Sequence, residues 1–229
     1  MNHDATGVAA LKPTAPIVGD IFDAVCERIA LGAAQIRRID DNITGWRFLY
    51  TARETLTENN GLMVAGINPG GEADMSDRGF SADGKNAYRT EKWDGPKYQR
   101  EMVEFLNEVY KFLGVSENGL ESAFDRTLAT NFVPFRSAQF STLSPETQAL
   151  ARHFARALWT DVLPLTNVRA ILCCGQETYD GFKEVRSRCD TGRDLQLVPM
   201  VHASSQAWNR KQSVQWATAA LSRTGFTLG

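Results

Sequence analysis

The chain has 229 residues, of which 43% are hydrophobic and 23% charged, with a formal net charge of −2. That is the size and composition of a globular domain with a substantial core, not of a disordered or fibrous chain. The charge announces no general nucleic-acid binder, although a local basic patch can steer DNA onto a near-neutral protein.

The cysteines are Cys26, Cys173, Cys174 and Cys189. Two are adjacent inside an apolar run and no C-x-x-C occurs. This argues against a disulfide framework or a four-cysteine metal site and for a reducing, cytoplasmic setting. The opening MNHDATGVAALKPTAP lacks the basic start and apolar core of a signal peptide. No apolar stretch approaches the ~20 residues of a membrane span.

Residues 1–14 read as a loose tail and 15–229 as one domain. Ile17 to Ile39 reads as a helix, with Ile21, Phe22, Val25, Ile29 and Leu31 near one face. GWRFLYTARETL, 45–56, is either a short strand or an irregular segment. LMVAG, 62–66, is a short apolar run before turn residues, hence a buried strand. Residues 71–97 show no periodicity, and loops of that length in a compact domain tend to be functional or disordered. Tyr98 to Leu113 is helical, with Met102, Phe105, Leu106, Val109 and Phe112 three to four apart.

TLATNFVPF, 127–135, reads as a second strand. SPETQ opens the next helix, with Ser144 as N-cap and Pro145 in the first turn, and Leu150, Phe154, Leu158 and Val162 carry its stripe. VRAILCCG, 168–175, is the most strand-like run, followed by a helix of about ten residues. LQLVPMVH, 195–202, is a fourth strand. Gln212 to Arg223 closes the chain as a helix, with Gly225 as its stop. No internal repeat is present. Strands alternating with helices predict an α/β three-layer sandwich with a central, mostly parallel four-stranded sheet.

In open parallel sheets, ligands bind outside the carboxyl ends of the strands. Here those ends carry Asn68, Asn131 and His202, with Ser204 and Ser205 just beyond. Amides, an imidazole and hydroxyls on one rim suit recognition of a planar polar molecule and support of a developing anion.

GINPG at 66–70 resembles the first motif of the uracil-DNA glycosylase superfamily, in the mismatch-specific and single-strand-selective branches that carry Asn there. TNFVPF at 130–135 resembles the motif whose Asn reads the uracil edge. VHASS at 201–205 resembles the His-Pro-Ser-type motif that closes on the minor groove. The resemblance covers about residues 45–222.

The resemblance implies a monofunctional DNA glycosylase of base excision repair. It would hydrolyse the N-glycosidic bond of uracil or a related deaminated or damaged base and leave an abasic site. No cofactor, metal or lysine Schiff base is expected. Asn68 would position the attacking water, and His202 would donate to the O2 of the departing base as an uncharged donor. Asn131 would pair with O4 and N3–H, donating and accepting at once, a pattern cytosine does not match. Gly66, Ile67, Pro69 and Gly70 would let backbone approach the base. Phe80, twelve residues after Asn68, would stack on it for roughly 1–3 kcal/mol, with Tyr88 or Trp93 as substitutes.

The base must leave the duplex, or come from a single strand. Trp208 or Gln206 would be the wedge, Arg210 and Lys211 would meet phosphates, and Ser204 and Ser205 would bond a phosphate or cap the last helix. The partner would be single-stranded or mismatched DNA, with no membrane, and the protein a monomer.

The chain departs from the pattern in three ways. Ala203 stands where the family has proline, residues 71–97 match no branch, and the first 45 residues lie outside the resemblance. Two other readings stay open: a protein of the same fold that binds a base or nucleic acid without excision, and an unrelated α/β enzyme using GINPGG as a phosphate loop. Against the latter, Pro69 removes an N–H that such a loop needs.

Overall fold

A strand buried on both faces needs helices on both sides, and the runs Leu62–Gly66, Leu128–Asn131 and Ala170–Cys174 are buried at every position. The computed structural model describes residues 20–70, 77–92, 96–189 and 194–229. Its strands are β1 (Gly45–Trp46), β2 (Leu62–Gly66), β3 (Leu128–Asn131), β4 (Phe135–Arg136), β5 (Ala170–Cys174) and β6 (Gln196–Met200). Its helices are α1 (Ile21–Arg37), α2 (Ala87–Thr90), α3 (Pro96–Phe112), α4 (Leu120–Asp125), α5 (Pro145–Val162), α6 (Gln176–Arg188) and α7 (Arg210–Arg223).

The main sheet has four strands in the order β3-β2-β5-β6, every pair parallel. β6 holds Pro199 because it is an edge strand, paired only with β5, so the missing N–H costs no ladder bond on its open side. Successive side chains of β2 point to opposite faces. Met63 and Ala65 join a core with Phe22, Ile29, Phe48, Phe132, Trp159 and Phe182, drawn from α1, α5 and α6 among other elements. Leu62 and Val64 join a second core with Phe105, Leu106, Phe124 and Leu221, from α3, α4 and α7. The result is the expected α/β sandwich, helix layers on both faces of a parallel four-stranded sheet.

The ambiguous segment at 45–56 extends the sheet beyond β3. β1 pairs antiparallel with β4, Leu49 bridges Thr130, and the Tyr50 N–H donates to the Ala129 carbonyl at 2.8 Å. A 3-10 turn, Arg53–Leu56, follows. TLATNFVPF forms two short strands rather than one. After Asn131 the N–H groups of Phe132 and Val133 turn toward the carbonyls of Gly66 and Ile67, at 2.8 Å each, and pairing resumes at Phe135.

Several boundaries differ from expectation for local reasons. α1 is capped by Asp20, whose Oδ1 accepts the Phe22 N–H at 3.0 Å. Leu31 is 54% exposed, not on the inner face, because two residues past Ile29 is about 200° around a helix. α7 starts at Arg210 since the Asn209 side chain accepts from the Gln212 N–H, and Gly225, at φ +63°, ends it. α5 starts as expected, with Ser144 accepting from the Thr147 N–H at 3.1 Å. α2, inside the expected 71–97 loop, and α4 have no counterpart among the expected elements. The tail at 1–14, the expected helix start at Ile17, and residues 71–76 and 93–95 of the long loop, Trp93 included, lie outside the described residues. No helix among the described residues is long and apolar enough to cross a membrane.

Candidate active site

β2 and β3 end side by side, with Gly66 and Asn131 opposite each other in register. The Asn131 side chain is 7% exposed, and its Nδ2 donates to the hydroxyl of Tyr50 at 3.1 Å. Its Oδ1 lies over Gly66 so closely that a Cβ there would stand 2.5 Å away. Gly66 is therefore required by the Asn131 side chain. Among the described residues nothing donates to Oδ1. One N–H of the amide and its carbonyl remain as a donor-acceptor edge.

Tyr50 is itself held in place. The Arg47 guanidinium lies 3.9 Å from its ring centroid, and Arg47 is clamped by both carboxylate oxygens of Glu91 at 2.7 Å each. Tyr88 lies near-parallel to it, centroids 5.8 Å apart. Burial pushes the Tyr50 phenol pKa up, against the opposing pull of Arg47 and Arg136, so the hydroxyl keeps its proton.

Asn68 stands one turn beyond β2. Its Nδ2 donates to Ser137 Oγ at 2.9 Å, and approaches the carbonyls of Pro69 and Ser137 at 3.2 and 3.4 Å. Carbonyls only accept, so the amide nitrogen must face them, and Oδ1 points the other way with no partner among the described residues. Pro69 is buried, and its carbonyl also accepts from the Ser137 N–H at 3.3 Å. The exposed Gly70 gives its carbonyl to Arg136 Nη1 at 3.0 Å, and a Cβ on Gly70 would meet nothing within 4 Å. Ile67 is half-buried against the first core. The Asn-Pro-Gly turn is thus fastened to the segment after β4.

His202 lies two residues past β6, which stands about 10 Å across the sheet from β2 at ordinary strand spacing. Its Nδ1 is 2.7 Å from Ser204 Oγ and accepts the Ser204 backbone N–H at 3.3 Å. A backbone N–H can only donate, so Nδ1 is an acceptor and the ring proton sits on Nε2. The ring stacks on Tyr98, centroids 4.9 Å and planes 8° apart. Burial lowers its pKa below the usual imidazole value, so it is neutral at pH 7. Tyr98 in turn lies edge-on to Tyr88, with ring centroids 6.2 Å apart. Tyr50, Tyr88 and Tyr98 form a continuous aromatic wall from Asn131 to His202. Ala203, where the resembled motif has proline, is 1% exposed and packs into the second core.

The remaining expected residues fall elsewhere. Phe80 packs edge-on against Phe22 of α1 at 5.7 Å and is 39% exposed. Its partner Phe22 belongs to the first core, whereas Tyr50 and Tyr88 belong to the second. Trp208 turns inward, edge-on to Phe105 at 5.7 Å, and its Nε1–H donates to Glu101 at 3.1 Å. Arg210 is paired with Glu101, Glu104 and Glu108 of α3. Ser204 serves His202. Ser205 accepts from the Ala207 N–H, while Asn209 caps α7. Lys211 and Gln206 are exposed.

Three residues at the site escaped the sequence reading: Tyr50, Tyr98 and Ser137. Tyr50 follows the alternating pattern W-R-F-L-Y, with Trp46, Phe48 and Tyr50 in step, which was a usable strand signal. Ser137 had none, because its role depends on a contact 69 positions away.

No family model matches the chain, and no curated protein matches its sequence. Solved structures that match include the crystal structure of wild-type SMUG2 from Pedobacter heparinus. The two chains are 13% identical, with a TM-score of 0.48 over 72% of this chain and 76% of that one.

Proposed function

We propose that this protein is a DNA glycosylase that hydrolyses the N-glycosidic bond of uracil or a related deaminated base, leaving an abasic site. The observation that carries the proposal is the convergence of three strand-end motifs, GINPG, TNFVPF and VHASS, on one rim with complementary hydrogen-bonding states. Asn68 offers a carbonyl, Asn131 a donor-acceptor edge, and His202 a neutral N–H.

The chemistry follows from those states. Breaking the bond between base and C1′ leaves positive charge on the sugar and negative charge on the base. The Nε2–H of His202 donates to the base oxygen on which that charge gathers, and gains strength as the charge grows. A neutral imidazole does this without protonating the base outright. Asn68 Oδ1 accepts a hydrogen bond from a water and aims its oxygen at C1′, a gain in orientation rather than in basicity. The water ends as the C1′ hydroxyl and gives its second proton to solvent, and the base leaves with the bonding electron pair as an anion that takes up a proton from solvent in turn.

The test is cleavage of labelled oligonucleotides carrying U, hypoxanthine, xanthine or T, single-stranded and mispaired, followed by alkali. Wild type is run beside Asn68→Ala and His202→Ala. Release of a base by wild type, lost or strongly reduced in both variants, supports the reading. No release from any substrate by folded protein at low salt would sink it, and leave a base-binding protein of the same fold.

A further inference from the structure

We propose that Tyr50 is a specificity-determining positioning residue: with Gly66 it locks the Asn131 amide in the orientation that reads a lactam edge, an N–H beside a C=O. The inference rests on the glycosylase reading for the reaction, and on geometry alone for the recognition.

An asparagine amide is nearly symmetric in shape, and rotating it by half a turn exchanges donor and acceptor. A free amide would read uracil in one state and cytosine in the other. What fixes the state is therefore what fixes specificity. Two contacts act here from different strands. From the segment beside β3, the Tyr50 hydroxyl takes one Nδ2 hydrogen at 3.1 Å; a hydroxyl can also donate, so this contact holds the amide in place and the choice between its two states falls to Gly66. From β2, Gly66 presents only Cα–H to Oδ1, at a place where a Cβ would come within 2.5 Å. A carbonyl oxygen is at ease against C–H groups. After a half-turn, an NH2 group would face that same C–H surface, which has nothing to accept its hydrogens.

Tyr50 can hold the amide because it cannot itself move. Arg47 stacks at 3.9 Å on its ring, Tyr88 lies near-parallel at 5.8 Å, and the residue is 8% exposed. The anchor runs back to the Arg47–Glu91 pair, so a surface ion pair is not what sets the geometry: Arg47 is 1% exposed.

The outward edge is then Oδ1 with the second Nδ2 hydrogen. Uracil meets it with N3–H and O4. Hypoxanthine and xanthine meet it with N1–H and O6. Cytosine and adenine, with a ring nitrogen acceptor beside an amino group, would set donor against donor and acceptor against acceptor. The edge therefore takes lactam bases and refuses cytosine and adenine, the amino parents of uracil and hypoxanthine; guanine and thymine show the same N–H beside C=O, so their exclusion falls to other contacts.

The experiment uses full-length protein and Tyr50→Phe, which keeps the ring and its stacking. Each is given single-stranded oligonucleotides with one U or one C. Each is also titrated with free uracil and free cytosine, following the Asn131 side-chain NH2 by NMR, assigned by its loss in Asn131→Ala. Wild type is expected to excise and bind uracil and to refuse cytosine. Tyr50→Phe is expected to weaken uracil binding and to raise the cytosine-to-uracil ratio about tenfold, the scale of one hydrogen bond lost from a buried polar group. An unchanged ratio in both assays overturns the proposal. Free-base discrimination that depends on Tyr50, without excision by wild type, refutes the glycosylase reading and leaves this inference standing. Neither binding nor excision of either base by wild type refutes both. Should Tyr50→Phe not fold, wild type alone decides. One Nδ2 proton must exchange slowly with solvent while uracil shifts the other; two rapidly exchanging protons overturn the proposal.

Discussion

The imidazole of His202 lies flat on the ring of Tyr98, with 4.9 Å between centroids and 8° between planes. The stack keeps water from one face of the imidazole, and burial is what lowers its pKa below 6.5. The unfolded chain binds this proton at the ordinary pKa and the folded chain only at a lower one. Stability is therefore full above the ordinary value and is lost as pH falls through the folded one. Protonation would also put a second N–H against the Ser204 N–H. His202 should titrate below 6.5 in an NMR titration, told apart from His3 and His153 by His202→Gln. In Tyr98→Ala its pKa should rise toward 6.5, and the acid limb of base release should move with it. Titration at or above 6.5 in wild type would refute the account.

Asn68 depends on a serine for its aim. Ser137 is fully buried and holds the Asn68 amide at 2.9 Å. In Ser137→Ala, Nδ2 keeps only the two longer carbonyl contacts, and the rotation of Oδ1 loosens. The expected loss is about 1 kcal/mol in stability, and about tenfold in kcat, with KM nearly unchanged because water positioning acts on the transition state. Steady-state kinetics on a U-containing single strand checks this. A change confined to KM would place Ser137 in substrate binding instead.

Gly66 and Gly70 share one motif and answer to different demands. A methyl on Gly66 would stand 2.5 Å from Asn131 Oδ1, while on Gly70 it would meet nothing within 4 Å. Gly66→Ala should cost about 1–3 kcal/mol, the usual range for overpacking, and should abolish uracil recognition by displacing the amide. Gly70→Ala should leave thermal unfolding within about 0.5 kcal/mol of wild type. Equal losses in the two variants would show that the Gly66–Asn131 contact does not govern the site.

How much of this was legible in the chain depended on how local the cause was. LMVAG and ILCC declared a parallel sheet because strands covered on both faces are apolar throughout. Ser144 and Pro145 declared a helix start through contacts three residues long. The segment through Tyr50 could be read as either a short strand or an irregular piece, because Arg47 interrupts its apolar residues and an arginine reads as exposed. What buries it is Glu91, 44 positions on. Leu31 was misplaced by angle alone. At the rim, Asn68, Asn131 and His202 could be named as strand-end polar residues. The groups that orient them, Ser137, Tyr50 and Tyr98, lie on other elements and are visible only once the chain is folded.

Arg210 gives the last prediction, since the fold puts it to a different use from the one its sequence context suggested. It follows the His202 loop, where a phosphate contact is expected, yet it is shared among Glu101, Glu104 and Glu108 of α3. An arginine already neutralised by carboxylates releases no counterion from DNA when the protein binds. Lys211 is exposed beside it, and no described carboxylate lies within ion-pair distance. The slope of log K against log salt for a single strand falls by about 0.7 for each phosphate contact removed. Lys211→Ala should lower it by about that much. Arg210→Ala should leave it unchanged, and should instead destabilise the α3–α7 contact that also holds Trp208. Fluorescence anisotropy of a labelled single strand across a salt series, with thermal unfolding of both variants, separates the two. A slope lowered by Arg210→Ala would mean that DNA draws the arginine off its glutamates.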